Sequence, residues 1–218
     1  MPASRRNKII EAFLALLTEK PFEKIGLAAV AARADVSLAD LRAEFGSTFD
    51  MLSGFVRETD RKVLANPDKD IEESTPRDRL FDVLMRRFEA LAPYRGALRS
   101  LARSARCDPA LALGLNKLAV RSQQWMLAAA GIETAGLLGG MRAQTLAILY
   151  AKAMRMFIDD EDPGLARTMA ALDRELSTAE RLAHFANDLC RLVPRCSPRR
   201  RRDRDSRPGA AFADTIPV

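Results

Sequence analysis

The sequence predicts an all-α protein in which a three-helix head, containing a helix-turn-helix, precedes a helical body of about six helices. Hydrophobic residues make up 48% of the 218 residues and only eleven residues are glycine, a composition that favours a helical globule. Apolar residues recur at three- and four-residue spacing over most of the chain, as the buried stripe of a helix requires. At three places Thr or Asp stands directly before Pro, which is a common start of a helix: Thr75-Pro76, Asp108-Pro109 and Asp162-Pro163.

The head begins with a helix predicted over residues 4–19, which Pro21 ends. Residues 26–45 follow as two short helices joined by a tight turn, in which Val36 supplies an apolar contact between them. Ser37 is placed to cap the second short helix, and Asp40 completes a capping box. A short helix held in this way has the shape that enters a DNA major groove.

The body is predicted to begin with a helix over 48–65, which a capping box at Ser47 opens. After a polar loop, the remaining helices are expected over 76–91, 94–105, 109–130, 137–158 and 163–191. Ser177 starts a second cap signal inside the last helix, which allows a break there. The predicted domains are a head over 1–47, a body over 48–192 and a disordered, Arg-rich tail over 193–218.

The stretch from Gly26 to Phe45 resembles the DNA-binding motif of the TetR family of bacterial transcriptional regulators. The resemblance extends upstream into the first helix and downstream to Leu52, and it covers about fifty residues. It implies a DNA-binding regulator, expected to be a repressor, whose head binds double-stranded operator DNA. It also implies that the body forms a homodimer and binds a small apolar ligand that releases or modulates the regulator.

Nine residues are expected to contact DNA, on the second short helix or at the ends of the neighbouring helices: Arg5, Arg6, Arg33, Ser37, Leu38, Ala39, Arg42, Ser47 and Thr48. The chain departs from the family pattern at three positions, since it has Asp35 where Gly is common, Arg42 where an aromatic residue is common and Thr48 where Lys is common. Arg42 can replace a phosphate contact, because guanidinium is a good phosphate donor. Residues 1–50 carry seven basic and seven acidic side chains, so DNA binding must depend on where single charges lie.

The ligand is expected to contact apolar residues of the body: Phe55, Phe81, Met85, Phe88 and Trp125. Four small residues at four-residue spacing on the helix over 137–158 allow another helix to approach closely: Gly139, Ala143, Ala147 and Ala151. This ridge is either the dimer interface or an internal helix contact, and the sequence does not decide between them. The helix over 48–65 is expected to be the one element that links the head to the body.

A second hypothesis is a lipid- or isoprenoid-binding protein of the same fold that has lost operator binding. The zero net charge of residues 1–50 and Thr48 in place of the expected Lys favour it. Residues 159–176 also look similar to the C-terminal helix of the coenzyme-Q biosynthesis lipid-binding proteins. Catalysis, metal binding and a cofactor are not expected, because the three cysteines have no paired spacing and His184 is the only histidine. Reduced thiols, together with the lack of a predicted signal peptide or membrane span, favour a cytoplasmic protein.

Overall fold

A computed structural model of the chain describes residues 5–65 and 74–192, with side chains described up to residue 180. These residues form nine α-helices and no strand, so the predicted all-α fold is confirmed. The helices are α1 Arg5–Glu19, α2 Leu27–Ala34, α3 Leu38–Glu44, α4 Thr48–Leu64, α5 Pro76–Leu91, α6 Arg95–Cys107, α7 Pro109–Ala129, α8 Gly136–Ile158 and α9 Ala166–Leu192. Two short helical turns, Phe22–Lys24 and Ala92–Tyr94, precede α2 and α6. The predicted tail over 193–218 lies outside the described residues.

Helix boundaries agree best with the sequence where a local cap defines them. Thr75 accepts a hydrogen bond from the Asp78 amide, and α5 spans the predicted residues. The last helix begins later than its Asp-Pro signal predicts, because Leu165 has a left-handed backbone (φ 55°) that interrupts the helix after Pro163. Asp162 accepts hydrogen bonds from the Gly164 and Ala166 amides and so holds a turn before α9. Helix α9 has no break at Ser177.

The core of the head forms where α1 packs against α2 and α4. Ile9, Phe13 and Leu17 on α1 are fully buried, as their helical spacing predicts. Phe13 also contacts Phe22 edge to face, with 6.2 Å between the ring centroids. Burial of large side chains at this spacing is the main stabilisation available to such short helices.

In the body, α5 and α8 meet through stacked aromatic rings. Phe88 is fully buried and stacks on Tyr150 with 4.5 Å between the centroids, and Phe157 lies 4.9 Å from Phe88. Beside them, Arg87 forms a buried ion pair with Asp60 of α4, at 3.0 Å between Nε and Oδ1. The Ser122 hydroxyl donates to the same carboxylate oxygen at 2.8 Å, so this pair joins α4, α5 and α7.

Helix α6 packs across α1, so the expectation that α4 alone links head and body is wrong. The Ser100 hydroxyl donates to the carbonyl of Lys20 at 3.2 Å, and the Ser104 hydroxyl accepts from the amide of Phe22 at 3.1 Å. Gly96 lets the two helices approach, because a Cβ there would lie 2.9 Å from Cγ2 of Thr18. Helix α6 therefore connects the head to the body in addition to α4. None of the described helices is long and apolar enough to span a membrane.

Candidate nucleic-acid interface

The turn before α3 contains Asp35, whose backbone has the left-handed conformation that glycine usually adopts. Asp35 has φ 51° and ψ 54°, a conformation that Asp tolerates better than most residues. The amide of Val36 then reaches the carbonyl of Ala31 at 3.1 Å, which closes the end of α2. The departure from Gly at this position is therefore compatible with the expected helix-turn-helix.

Helix α3 is held by its ends and by one buried residue. Ser37 accepts a hydrogen bond from the Asp40 amide at 3.0 Å and caps the helix, as its position in the sequence predicts. Leu41 is 2% exposed and anchors the inner side of the helix in the head core. The opposite side presents Leu38 and Ala39 to solvent together with Arg42, and Leu38 is 57% exposed.

Some basic residues of the head form ion pairs with carboxylates of the same chain, and others do not. Arg5 pairs with Asp40 at 2.7 Å, and Arg33 pairs with Glu19 at 2.6 Å. Hydrogen bonding from Arg33 lowers the pKa of Glu19 below its ordinary value. Arg42 is exposed and forms no ion pair within the described part of the chain.

Arg6 lies in a different environment from the other predicted DNA contacts. Its guanidinium lies over the ring of Phe45, 4.2 Å from the centroid, and donates to the carbonyl of Glu44 at 3.0 Å. It also lies against Gly54 of α4, where an added Cβ would be 3.1 Å from Nη2. Arg6 therefore braces α1 against the end of α3 and against α4, and its contact with DNA stays a prediction.

The start of α4 carries the last two predicted contacts. Ser47 is exposed and accepts from the Asp50 amide at 3.1 Å, while Thr48 is half-buried. The Asp50 carboxylate accepts from the amide of Gly46 at 3.0 Å. Ser47 and Thr48 thus lie near the end of α3, on the adjoining helix start.

A solvent-open groove of about 590 Å³ lies between α1 and the helix-turn-helix. Charged and polar residues dominate its wall: Arg5, Lys8, Asp35, Ser37 and Asp40, with Ala31, Ala32 and Val36. A hydrogen bond from the Ser37 hydroxyl and the charge of Arg5 lower the pKa of Asp40, so this carboxylate is an anion at neutral pH.

The five residues predicted to contact a ligand do not share one environment. Phe55, Met85 and Phe88 are buried, and Phe81 is partly buried. Phe55 meets Tyr94 edge to face, with 5.0 Å between the centroids. Trp125 is 59% exposed, so it does not belong to the buried group, and its contact with a ligand stays a prediction.

The small-residue ridge of α8 faces the interior of the chain. Gly139, Ala143 and Ala147 are buried and only Ala151 is exposed. A Cβ at Gly139 would lie 2.0 Å from the carbonyl oxygen of Thr134, so close packing within the chain explains the absence of a side chain there. Of the two alternatives left by the sequence, the internal contact accounts for these three residues.

The exposed side of α8 carries a set of large apolar residues that sequence reasoning missed: Leu137, Leu138, Met141 and Ile148, which are 50% to 82% exposed. The spacing of residues 137, 141 and 148 on one side of a helix was the available signal. Because α8 is apolar on nearly all sides, that spacing did not stand out. In the described part of the chain, no three His, Cys, Asp or Glu residues are grouped to hold a metal ion.

The fold of the chain is similar to those of solved regulator structures. No family model matches the sequence, and no curated protein matches it. A TetR transcriptional regulator from Nitrosomonas europaea has a TM-score of 0.63 and 22% sequence identity, over 80% of this chain and 97% of that chain. A TetR transcriptional regulator from Rhodococcus sp. RHA1 has a TM-score of 0.53 and 21% identity, over 81% of this chain and 97% of that chain. The chain therefore shares the fold of these TetR transcriptional regulators.

Proposed function

We propose that the chain is a transcriptional regulator, acting as a repressor, that binds operator DNA as a homodimer and is released by a small apolar ligand. The observation that carries this proposal is the outer side of α3, where Leu38, Ala39 and Arg42 are exposed on a helix fixed by the Ser37 cap and by Leu41. Among the described residues, Arg42 has no ion-pair partner. The fold shared with solved TetR regulators supports the same conclusion.

Helix α3 acts as the recognition helix in this proposal. Leu38 and Ala39 contact base edges by apolar contact, and Arg42 donates to a backbone phosphate. Ser47 contributes a further phosphate contact from the start of α4. Because residues 1–50 have no net charge, affinity depends on these few contacts and falls as salt is raised.

The homodimer uses the exposed apolar side of α8. Met141 and Ile148 are 58% and 50% exposed, and Leu137 extends the same patch. A second copy of the chain is the partner proposed for this patch, because operators of helix-turn-helix dimers are read as two half-sites one helical turn apart. Burying the patch against its symmetry mate removes apolar surface from water.

Ligand release acts where Phe55 of α4 meets Tyr94, the residue directly before α6. A ligand that inserts beside Phe55 displaces the start of α6 as well as α4. Helix α6 is hydrogen-bonded to the head through Ser100 and Ser104, so the displacement reaches α1. Both routes change the position of α3 relative to the α3 helix of the second copy. By linkage, DNA weakens ligand binding by the same factor by which the ligand weakens DNA binding.

The direct test is an electrophoretic mobility shift with the DNA upstream of the chain's own gene. We expect sequence-dependent binding at low salt that Arg42→Ala weakens by roughly tenfold, since a charge-assisted phosphate contact is lost. Arg121→Ala removes an exposed charge from α7 and serves as the matched control. Absence of sequence-dependent binding by the intact protein contradicts the proposal.

The dimer is tested by sedimentation of Ile148→Glu, which introduces a charge into the proposed interface. We expect a shift from dimer to monomer, because burial of an unpaired carboxylate is costly. Ala28→Glu introduces the same charge at an exposed residue of α2, outside the proposed interface, and is the comparison. A wild-type protein that sediments as a monomer excludes this interface.

The second candidate function is a lipid or isoprenoid carrier, and the zero net charge of residues 1–50 is the observation that favours it. Native mass spectrometry of the protein as purified separates the two functions. A stoichiometric apolar ligand without any DNA binding supports the carrier, and a ligand whose addition releases DNA supports the regulator.

A further inference from the structure

Two ion pairs cross the groove between α1 and the helix-turn-helix, and both carboxylates belong to the helix-turn-helix. Arg5 of α1 donates to Oδ1 of Asp40 at 2.7 Å. Lys8, one turn further along α1, lies 3.6 Å from Oδ2 of Asp35. The Ser37 hydroxyl donates to the second oxygen of Asp40 at 2.7 Å, which fixes this carboxylate toward α1.

All four charged side chains are accessible to solvent. The side chains of Arg5 and Asp40 are 56% and 40% exposed, and those of Lys8 and Asp35 are 52% and 96% exposed. Exposed pairs of this kind add little to folding stability. The bracing of α1 against α3 and α4 is instead provided by Arg6, which is half-buried over Phe45. The two exposed pairs are therefore not required to hold the head together.

A carboxylate that pairs with Arg or Lys occupies the place that a DNA phosphate takes, because both are anions with hydrogen-bond acceptor oxygens. We propose that Asp35 and Asp40 act as internal substitutes for DNA phosphates: they hold Lys8 and Arg5 in the free protein and set the affinity of the head for DNA. This inference rests on the proposed DNA-binding function. DNA must displace the carboxylates to engage the two cations, and the displaced carboxylates then repel the phosphates.

The affinity of the head is consequently lower than its basic residues alone allow. Asp40→Asn removes the competing charge but keeps an oxygen that accepts from Ser37, and Asp35→Asn keeps a residue that tolerates the left-handed turn. We expect each variant to bind duplex DNA more tightly by on the order of fivefold at low salt. The thermal unfolding midpoints should stay close to that of the wild type.

The experiment is fluorescence anisotropy with two labelled duplexes, the upstream DNA of the gene and a scrambled duplex of equal length. A double-mutant cycle identifies the mechanism. If Asp40 acts by holding Arg5, the gain from Asp40→Asn must shrink in an Arg5→Ala background, and the gain from Asp35→Asn must shrink in a Lys8→Ala background. Glu161→Gln changes the net charge equally at an exposed residue between α8 and α9 and should leave affinity unchanged.

Each outcome bears on the inference. A gain that persists in the Arg5→Ala background, or that Glu161→Gln reproduces, shows a general charge effect and overturns it. Wild-type binding without any gain in the Asp variants overturns the inference and leaves the DNA-binding proposal standing. If neither the wild type nor the Asp variants bind either duplex, both proposals fail. If only the Asp variants bind, the inference is supported in its strongest form.

Discussion

The same chemical pair, an arginine with an aspartate, occurs in the head and in the body under opposite conditions. In the head, Arg5 and Asp40 lie 2.7 Å apart with side chains 56% and 40% exposed. In the body, Arg87 and Asp60 lie 3.0 Å apart with side chains only 7% and 9% exposed. Only the body pair has a buried third member, Ser122, which donates to Asp60.

Solvent access decides what each pair can do. Water and salt screen the head pair, so breaking it costs little and a phosphate can replace the carboxylate. The body pair is almost closed to solvent, so loss of one member leaves a charge in the interior. The comparison teaches that the partner of the arginine in the head can be replaced by another anion, while the buried pair of the body is permanent and joins three helices.

The largest effect is expected from breaking the body pair. Arg87→Ala should lower the free energy of unfolding by about 3–5 kcal/mol, because Asp60 remains buried without its cation. Urea denaturation measures the change, with Arg121→Ala as the exposed control. The double variant Arg87→Met with Asp60→Leu should recover much of the loss. If Arg87→Ala is as stable as Arg121→Ala, the buried pair is no more important for stability than an exposed charge, which contradicts the distinction drawn between the two pairs.

An intermediate effect is expected at the contact between α6 and the head. Ser104→Ala removes the acceptor of the Phe22 amide and should lower the free energy of unfolding by about 1 kcal/mol. Arg106→Ala, an exposed change on the same helix, should have no effect by the same urea measurement. Equal stability of both variants means that water replaces the serine and that this contact behaves like the exposed pairs.

The titration of Tyr94 offers a test that depends on pH. Burial, together with the hydrogen bond to Glu11 and the charge of that carboxylate, raises the pKa of Tyr94 to about 12. Burial also raises the pKa of Tyr150, the second of two tyrosines in the chain. A pKa raised by folding means that the linked stability is present below pH ~10, the ordinary tyrosine value, and is lost as pH rises through the folded value.

Ultraviolet difference spectroscopy of tyrosinate should therefore show no ionisation of the folded protein near pH ~10. Glu11→Gln keeps an acceptor but removes the charge, so the pKa of Tyr94 should fall while that of Tyr150 stays raised. Ionisation of one tyrosine at its ordinary value in the wild type, unchanged by Glu11→Gln, would show that Tyr94 is neither buried nor hydrogen-bonded to Glu11 in solution.

The smallest effect is expected at a second exposed pair of the head. Glu19→Gln removes the partner of Arg33, whose bidentate contact has distances of 2.6 and 3.4 Å. The unfolding midpoint in urea should not change measurably, because both side chains are about half exposed. A destabilisation comparable to that of Arg87→Ala would show that exposure does not separate the two classes of pair.

The sequence by itself determined the features that depend on a few neighbouring residues. The caps at Ser37, Thr75 and Asp108 each act within three residues, and the predicted helix starts agree with the structure at these caps. The apolar spacing of α1 likewise predicted which side of that helix is buried, because its opposite side is polar. The composition and the helix-turn-helix pattern were therefore sufficient to predict the all-α fold.

Tertiary structure alone decided which of several chemically similar residues is buried or paired. Helix α8 is apolar on nearly all sides, so only its contacts with neighbouring helices determined that Ala143 is buried and Ile148 exposed. Arg6 braces the head core while Arg42 is exposed, although both are arginines of the head, because Phe45 and Glu44 lie beside Arg6 in the folded chain. The physical reason is that burial and ion pairing depend on groups far apart in sequence, and the order of residues does not state which of them meet.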